Sequence, residues 1–269
     1  LSWKTPLLYA GMMLWLLTPM VAWRLLRAPG AWMRQAALPA LVVVPLAVFG
    51  LLSLVKTIGL HWVFSFVPLA FLMYARAVPD GVLRRTRNIT AVLALLHVAG
   101  VVAVATQPVD SWAQRLGPRK YAGVVQTVKA DEVIAALGSD VERYVLMTDG
   151  YSPSVTLGYN HGRYWPVFGP ASSHARHDDV LTDFRALAGR DILILSKEKP
   201  DLADYTPYFR EVSEDTLQVR GATFWRIRGH GFDYAAYHAG VLEPARRLWY
   251  AIPKWLPDCG CYFEERYFN

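Results

Sequence analysis

The chain has 269 residues, of which 54% are hydrophobic, 13% aromatic and 19% charged, a composition that excludes a disordered or collagen-like protein and leaves the globular and membrane classes open. Its formal net charge of +6 is split unevenly: residues 1–106 hold nine Lys/Arg against one acid, Asp80, whereas the remainder holds 19 bases and 21 acids. The excess positive charge lies in short stretches between apolar segments, which fits membrane topology and excludes a nucleic-acid-binding surface.

The first residue is Leu, and no charged n-region with a short apolar core and a cleavage site precedes the first apolar stretch. The start therefore reads as that of a chain that has lost its beginning, and not as a signal peptide. Residues 6–23, 37–55, 60–75 and 89–106 are apolar and approach the roughly 20 residues that a bilayer core requires. Each predicts a transmembrane helix, because only helices and closed barrels satisfy their backbone in lipid. The third extends to Val78, since Arg76 can snorkel. Arg24, Arg27 and Arg34 occupy the first linker, and Arg76, Arg84, Arg85 and Arg87 the third, whereas the second offers only Lys56. The positive-inside rule then places the first and third linkers in the cytoplasm, and the N-terminus, the Lys56 loop and everything after Thr106 outside.

Residues 107–269 predict a small soluble α/β domain. Residues 124–138 have helical periodicity and end at Gly138; 142–149 are rich in β-formers and lead to Ser152-Pro153, an expected N-cap with proline at the first helical position. A short strand is expected at 163–169, a helix at 177–189 and a buried strand at 190–198. Residues 216–220 and 222–228 read as a strand pair closed by Arg220-Gly221. The sheet is expected to be partly parallel, with antiparallel additions from the later strands. After Gly231 the chain becomes dense in Tyr, Trp and Phe, which suits either a membrane-interface belt or a cover over the domain. Cys259 and Cys261, the only cysteines, fit inert thiols, a strained disulfide or half of a metal site. Asn88-Ile-Thr90 has the pattern of a glycosylation acceptor, on the predicted cytoplasmic side.

The stretch "LVKTIGLHWVFSF" (54–66) places Lys56, His61 and Trp62 at the outer mouth of two spans. With the Arg-rich linkers, the Lys-x4-His-Trp spacing, Pro68 after it and "SSHARHDDVLTDFRALAGRDILIL" (172–195), the chain resembles the C-terminal portion of a bacterial membrane glycosyltransferase of the GT-C superfamily. The nearest group contains the protein O-mannosyltransferase-like and aminoarabinose transferase-like enzymes. The resemblance implies a bacterial inner-membrane, multi-pass protein with a periplasmic C-terminal domain. It further implies transfer of a sugar from a polyprenyl-phosphate donor to a lipid, glycan or protein acceptor, without nucleic acid as a partner. That group carries its catalytic carboxylate in the first outer loop, which nothing in residues 1–106 matches, so the catalytic residue is expected in a preceding region.

Two readings stand for most candidates. Lys56 is either an interfacial anchor beside Trp62 or a point charge on the donor phosphate, with His61 adding a hydrogen bond. His97, mid-span, is either a satisfied imidazole or a functional intramembrane group. In the cluster His174, Arg176, His177, Asp178 and Asp179, an aspartate capping the next helix competes with sugar or phosphate recognition by Arg176 and His177, and with a divalent metal. No other cofactor is expected. "GYNHGRYW" (158–165) suits sugar stacking or a small aromatic core. The alternative function is a non-enzymatic, membrane-anchored extracytoplasmic binding domain; a transporter fragment is disfavoured for want of paired polar groups at mid-depth.

Overall fold

The computed structural model describes residues 3–34, 37–169, 176–257 and 260–268, with the side chains of Arg176 and His177 outside the description. The chain divides into two compact units, Leu1–Thr106 and Gln107–Asn269.

The first unit is helical. Helix α1 (Lys4–Leu17) stops at Thr18, whose φ of 62° and ψ of 145° lie in a region that β-branched residues avoid. Pro19 supplies no N–H to continue the ladder, so α2 (Pro19–Arg27) leaves at 101° to α1. The single span expected over 6–23 is thus two helices. After α3 (Pro29–Met33), α4 (Leu38–Leu52) has 15 residues, about 22 Å, shorter than the expected 37–55. Helices α5 (Leu60–Phe64) and α6 (Val67–Ala77) are joined by a turn that Pro68 follows at the start of α6. Helix α7 (Asp80–Ala105) has 26 residues, about 39 Å. It absorbs Arg84, Arg85 and Arg87, because nothing after Pro79 breaks the ladder and Asp80 favours the positive helix start; the third linker shrinks to Val78-Pro79.

Where four spans were expected, two stretches among the described residues are long and apolar enough to cross a membrane, Leu60–Ala77 and Asp80–Ala105, or three if α1 and α2 form one broken span; α4 is apolar but shorter. The unit's core gathers Leu17, Val21, Val42, Ala70, Met73 and Tyr74. The Tyr74 hydroxyl meets Thr86 Oγ1 at 2.6 Å, tying α6 to α7.

The second unit is built on a mixed four-stranded sheet of order β1-β2-β4-β3. Strands β1 (Val145–Thr148) and β2 (Ile192–Ser196) are parallel, and β3 (Phe209–Val219) and β4 (Ala222–Phe232) form an antiparallel hairpin joined to β2 through β4. The hairpin turns on Arg220 (φ 49°) and Gly221 (φ 75°), the two positive φ values that a two-residue type I′ turn requires. Both strands run 11 residues, well beyond the expected 216–220 and 222–228. Edge strand β3 carries Glu211, Glu214 and Asp215, and such charge blunts an open edge while masking the strand's apolar alternation.

Boundaries differ elsewhere for local reasons. The helix expected over 124–138 begins earlier and breaks at Lys129 into α8 (Pro118–Val128) and α9 (Ala130–Ala136). The 142–149 strand yields its first residues to α10 (Asp140–Arg143). Helix α11 (Tyr151–His161) is entered from Gly150, so Ser152 and Pro153 lie inside its first turn and Ser152 is not the N-cap. Of the 163–169 strand only a bridge between Thr148 and Val167 forms. The 177–189 helix is α12 (Arg176–Leu181) followed by a 3-10 turn, Phe184–Leu187, capped by Asp183.

Helices α8, α9 and α11 cover one sheet face, burying Val125, Val133, Leu157 and Trp165 against Leu193 and Phe224. The other face is closed by the aromatic C-terminal segment. A helix from α13 (Tyr234–Tyr237) through α14 (Glu243–Ala245) to Tyr250, interrupted by π-type turns, and α15 (Tyr262–Tyr267) bury Tyr237, Phe263 and Tyr267 against Ile194 and Ile227. Covering the sheet is therefore one role of this segment, while Leu248, Trp249 and Trp255 stay exposed.

Candidate functional site

Residues 53–59 connect α4 to α5, and the loop is held at both ends. Ser53 Oγ donates to the Gly50 carbonyl at 2.6 Å, and Ile58 is buried. Between them Lys56 is exposed, with its ammonium 5.6 Å from the centre of the Trp62 ring. Trp62 packs on Phe49 at 6.0 Å and meets His61 edge-on at 5.8 Å. The His61 ring folds back over Gly59, where a Cβ would lie 2.7 Å from its Cε1, so a larger residue there would turn this exposed ring aside. The structure sets Lys56 of this loop beside Trp62 of α5, and His61 of the same helix against Trp62. No carboxylate compensates Lys56 among the described residues, because the only acid of residues 1–106 is Asp80 and no ion pair to Lys56 forms. A lone ammonium beside an aromatic face is suited to an anionic group, for which lysine is a frequent point-charge partner.

His97 is otherwise engaged. Trp15 Nε1 donates to its Nε2 at 2.7 Å, which leaves the proton on Nδ1, 2.8 Å from the Leu93 carbonyl. Both nitrogens are engaged within the helix pair, the arrangement expected of the satisfied imidazole among the two readings.

In the second unit, Asp178 and Asp179 lie inside the first turn of α12, because the helix starts at Arg176. The Asp178 carboxylate accepts the Val167 N–H at 3.0 Å and the Tyr164 hydroxyl. It thus serves the chain segment across from α12, not the helix cap expected of it. Burial pushes its pKa from the ordinary 3.8 to about 6, against the lowering pull of the Val167 N–H. Asp179 is buried too; the Tyr250 hydroxyl approaches its carboxylate at 3.4 Å and the Tyr267 hydroxyl donates to its carbonyl at 2.9 Å. Among the described residues no three His, Cys, Asp or Glu side chains converge on a metal position. His174 and Cys259 lie outside the described residues, as do the side chains of Arg176 and His177, so the recognition role expected of Arg176 and His177 and the pairing of the cysteines lie there too. Cys261 is half-buried beside the C-terminal aromatic cluster.

The aromatic stretch 158–165 divides. Trp165 is buried, with its indole donating to His161 Nδ1 at 2.8 Å. Tyr159 and Tyr164 stay exposed and, with Tyr151, Arg163 and Asp178, line a groove of about 470 Å³. A second cleft, about 560 Å³, opens at the carboxyl ends of the parallel strands β1 and β2. This is where open α/β sheets place ligands. It is lined by Arg119, Asp149, Tyr151, Ser152, Lys197 and Glu198, with Arg119 ion-paired to Glu198. Sequence reasoning missed Arg119, Asp149 and Lys197. The available signal was position: Asp149-Gly150 and Lys197 each directly follow a parallel strand.

No family model, no curated protein and no solved structure matches the chain.

Proposed function

We propose that the chain is the C-terminal part of an integral-membrane glycosyltransferase. It moves a sugar from a polyprenyl-phosphate donor to an acceptor at the outer face of a bacterial inner membrane. In this reading α1–α2, α4, α5–α6 and α7 are the four crossings, and the second unit lies in the periplasm. The observation that carries the reading is the Lys56 ammonium, without an ion-pair partner among the described residues, on a short loop between apolar helices and beside Trp62 of α5, which His61 meets edge-on. In a water-poor setting such a charge attracts a lipid-linked phosphate strongly. His61, one ring away, assists through a hydrogen bond to the leaving phosphate. The clefts of the second unit shape acceptor access. The resemblance places the catalytic carboxylate in an outer loop that these 269 residues do not contain.

Lys56→Ala, in the gene product encoded with its upstream region, is expected to insert normally and to lower sugar transfer from a polyprenyl-phosphate donor by at least tenfold; Lys56→Arg retains part of the rate. Unchanged transfer by Lys56→Ala removes Lys56 from the donor site. A second reading, a membrane-anchored glycan-binding protein, draws on the exposed tyrosines around Asp178. Glycan binding by the chain with no transfer by the longer product favours it.

A further inference from the structure

The bend at Thr18 does more than end α1. Helix α2 buries Val21, Ala22 and Leu25 and exposes Trp23, Arg24, Leu26 and Arg27, an amphipathic pattern that sets its basic residues at the membrane interface where the bent α1–α2 crossing ends. Trp32 pins the following turn to α2, its indole N–H donating to the Leu25 carbonyl at 2.8 Å. A cavity of about 490 Å³ opens beneath this bent segment, walled by Trp23, Arg24, Arg27, Trp32, Tyr74 and Val78. The Arg27 guanidinium lies 4.0 Å over the Trp23 ring. Among the described residues neither Arg24 nor Arg27 has an ion-pair partner, and the lone acid of residues 1–106 is Asp80. The opposite wall, at the α6–α7 junction, is flanked in sequence by Arg76, Arg84 and Arg85.

We infer that this cavity is a binding site for the headgroup of an anionic phospholipid in the cytoplasmic leaflet. The inference rests on the proposed membrane reading, in which the Arg24–Arg34 stretch faces the cytoplasm. Two guanidiniums without counter-ions fit the bidentate oxygens of a phosphodiester. Two tryptophans suit the headgroup level. The space is several times that of a bare phosphate ion, and its wall is mostly apolar apart from the guanidiniums, as a glycerol backbone and the first acyl carbons require. Basic pockets between helices on the cytoplasmic side are established headgroup receptors in chemical terms.

The test is native mass spectrometry of the full 269-residue chain, released from nanodiscs of phosphatidylcholine containing graded phosphatidylglycerol. The chain is expected to retain phosphatidylglycerol over phosphatidylcholine. Arg24→Gln with Arg27→Gln is expected to weaken that retention roughly 30-fold, from about a fivefold loss for each basic residue near an anionic surface. Arg24→Lys with Arg27→Lys retains the charge but not the planar fork, and is expected to fall between. Arg84→Gln with Arg85→Gln, off the cavity wall, is the control expected to change little. Equal losses in the Arg24/Arg27 and Arg84/Arg85 variants overturn the site in favour of diffuse charge. Displacement of the lipid by equimolar inorganic phosphate or glycerol 3-phosphate overturns the lipid as occupant. Gel filtration of each variant separates lost binding from lost folding, and the lysine pair carries the test if the glutamine pair fails to fold. A cysteine at position 85 labelled from outside intact cells overturns the membrane reading itself. Lost phosphatidylglycerol selectivity with correct topology overturns only this site.

Discussion

Asp178→Asn isolates the cost of keeping a carboxylate inside the second unit. The group is buried, and its pKa is raised from 3.8 to about 6. A raised carboxyl binds its proton more tightly in the folded state, so its favourable contribution is fully present below pH 3.8 and is lost as pH rises through 6. The full shift corresponds to about 3 kcal/mol, at 1.36 kcal/mol per unit. Between pH 4 and pH 7 the part lost is about 2 kcal/mol, more than about tenfold in the opening equilibrium. The asparagine side chain is nearly isosteric: its carbonyl accepts the Val167 N–H, and its amide faces a Tyr164 hydroxyl that can rotate to accept. Hydrogen-exchange mass spectrometry on the full chain, corrected for the intrinsic pH dependence of exchange, reads the opening of β1 and β2 in both proteins. Burial also lowers the pKa of His161, which acts with the opposite sign over neighbouring pH values. The difference between wild type and Asp178→Asn cancels that contribution. Wild type is expected to lose protection relative to the variant from pH 4 to pH 7, and parallel pH profiles refute the perturbed carboxyl.

Gly229→Ala would put a Cβ 2.5 Å from the buried Phe209 ring, which stacks on Phe168 at 5.4 Å. An overpacking cost of about 1–3 kcal/mol is expected, read as earlier chemical denaturation of the second unit. Thr18→Gly relieves a backbone conformation worth about 1–3 kcal/mol of strain. It is expected to raise thermal stability while leaving the α1–α2 angle unchanged, as spin-label distances across the bend would report; a straightened pair contradicts the assignment of the bend to Pro19 and its packing.

The candidate loop was legible because its signal is local. Lys56, His61 and Trp62 interrupt an apolar run, and six residues suffice to bring them together. Asp178 was visible as part of a polar cluster, yet its partner Val167 lies 11 residues away across an irregular bridge, and nothing in composition announces that pairing. The cavity around Arg24 and Arg27 required Tyr74 and Val78 from α6 and its exit, about 50 residues on. Strand β3 was half-hidden because an edge strand pairs on one side only and carries charge where a central strand carries Leu or Ile.

By itself, the sequence determined the division between an apolar, basic first part and a charge-balanced second part. It also determined a buried strand within 190–198, the Arg220-Gly221 turn and the mixed character of the sheet. These follow from quantities that accumulate along the chain: hydrophobic runs, charge counts and residues tolerant of positive φ. Only the tertiary structure decided that the first apolar stretch is bent, that α7 begins at Asp80, and that the aromatic C-terminus closes one face of the sheet. It alone decided which acids point inward. Such outcomes depend on which distant surfaces meet, and that competition between alternative burial partners leaves no periodic trace in the segments that take part in it.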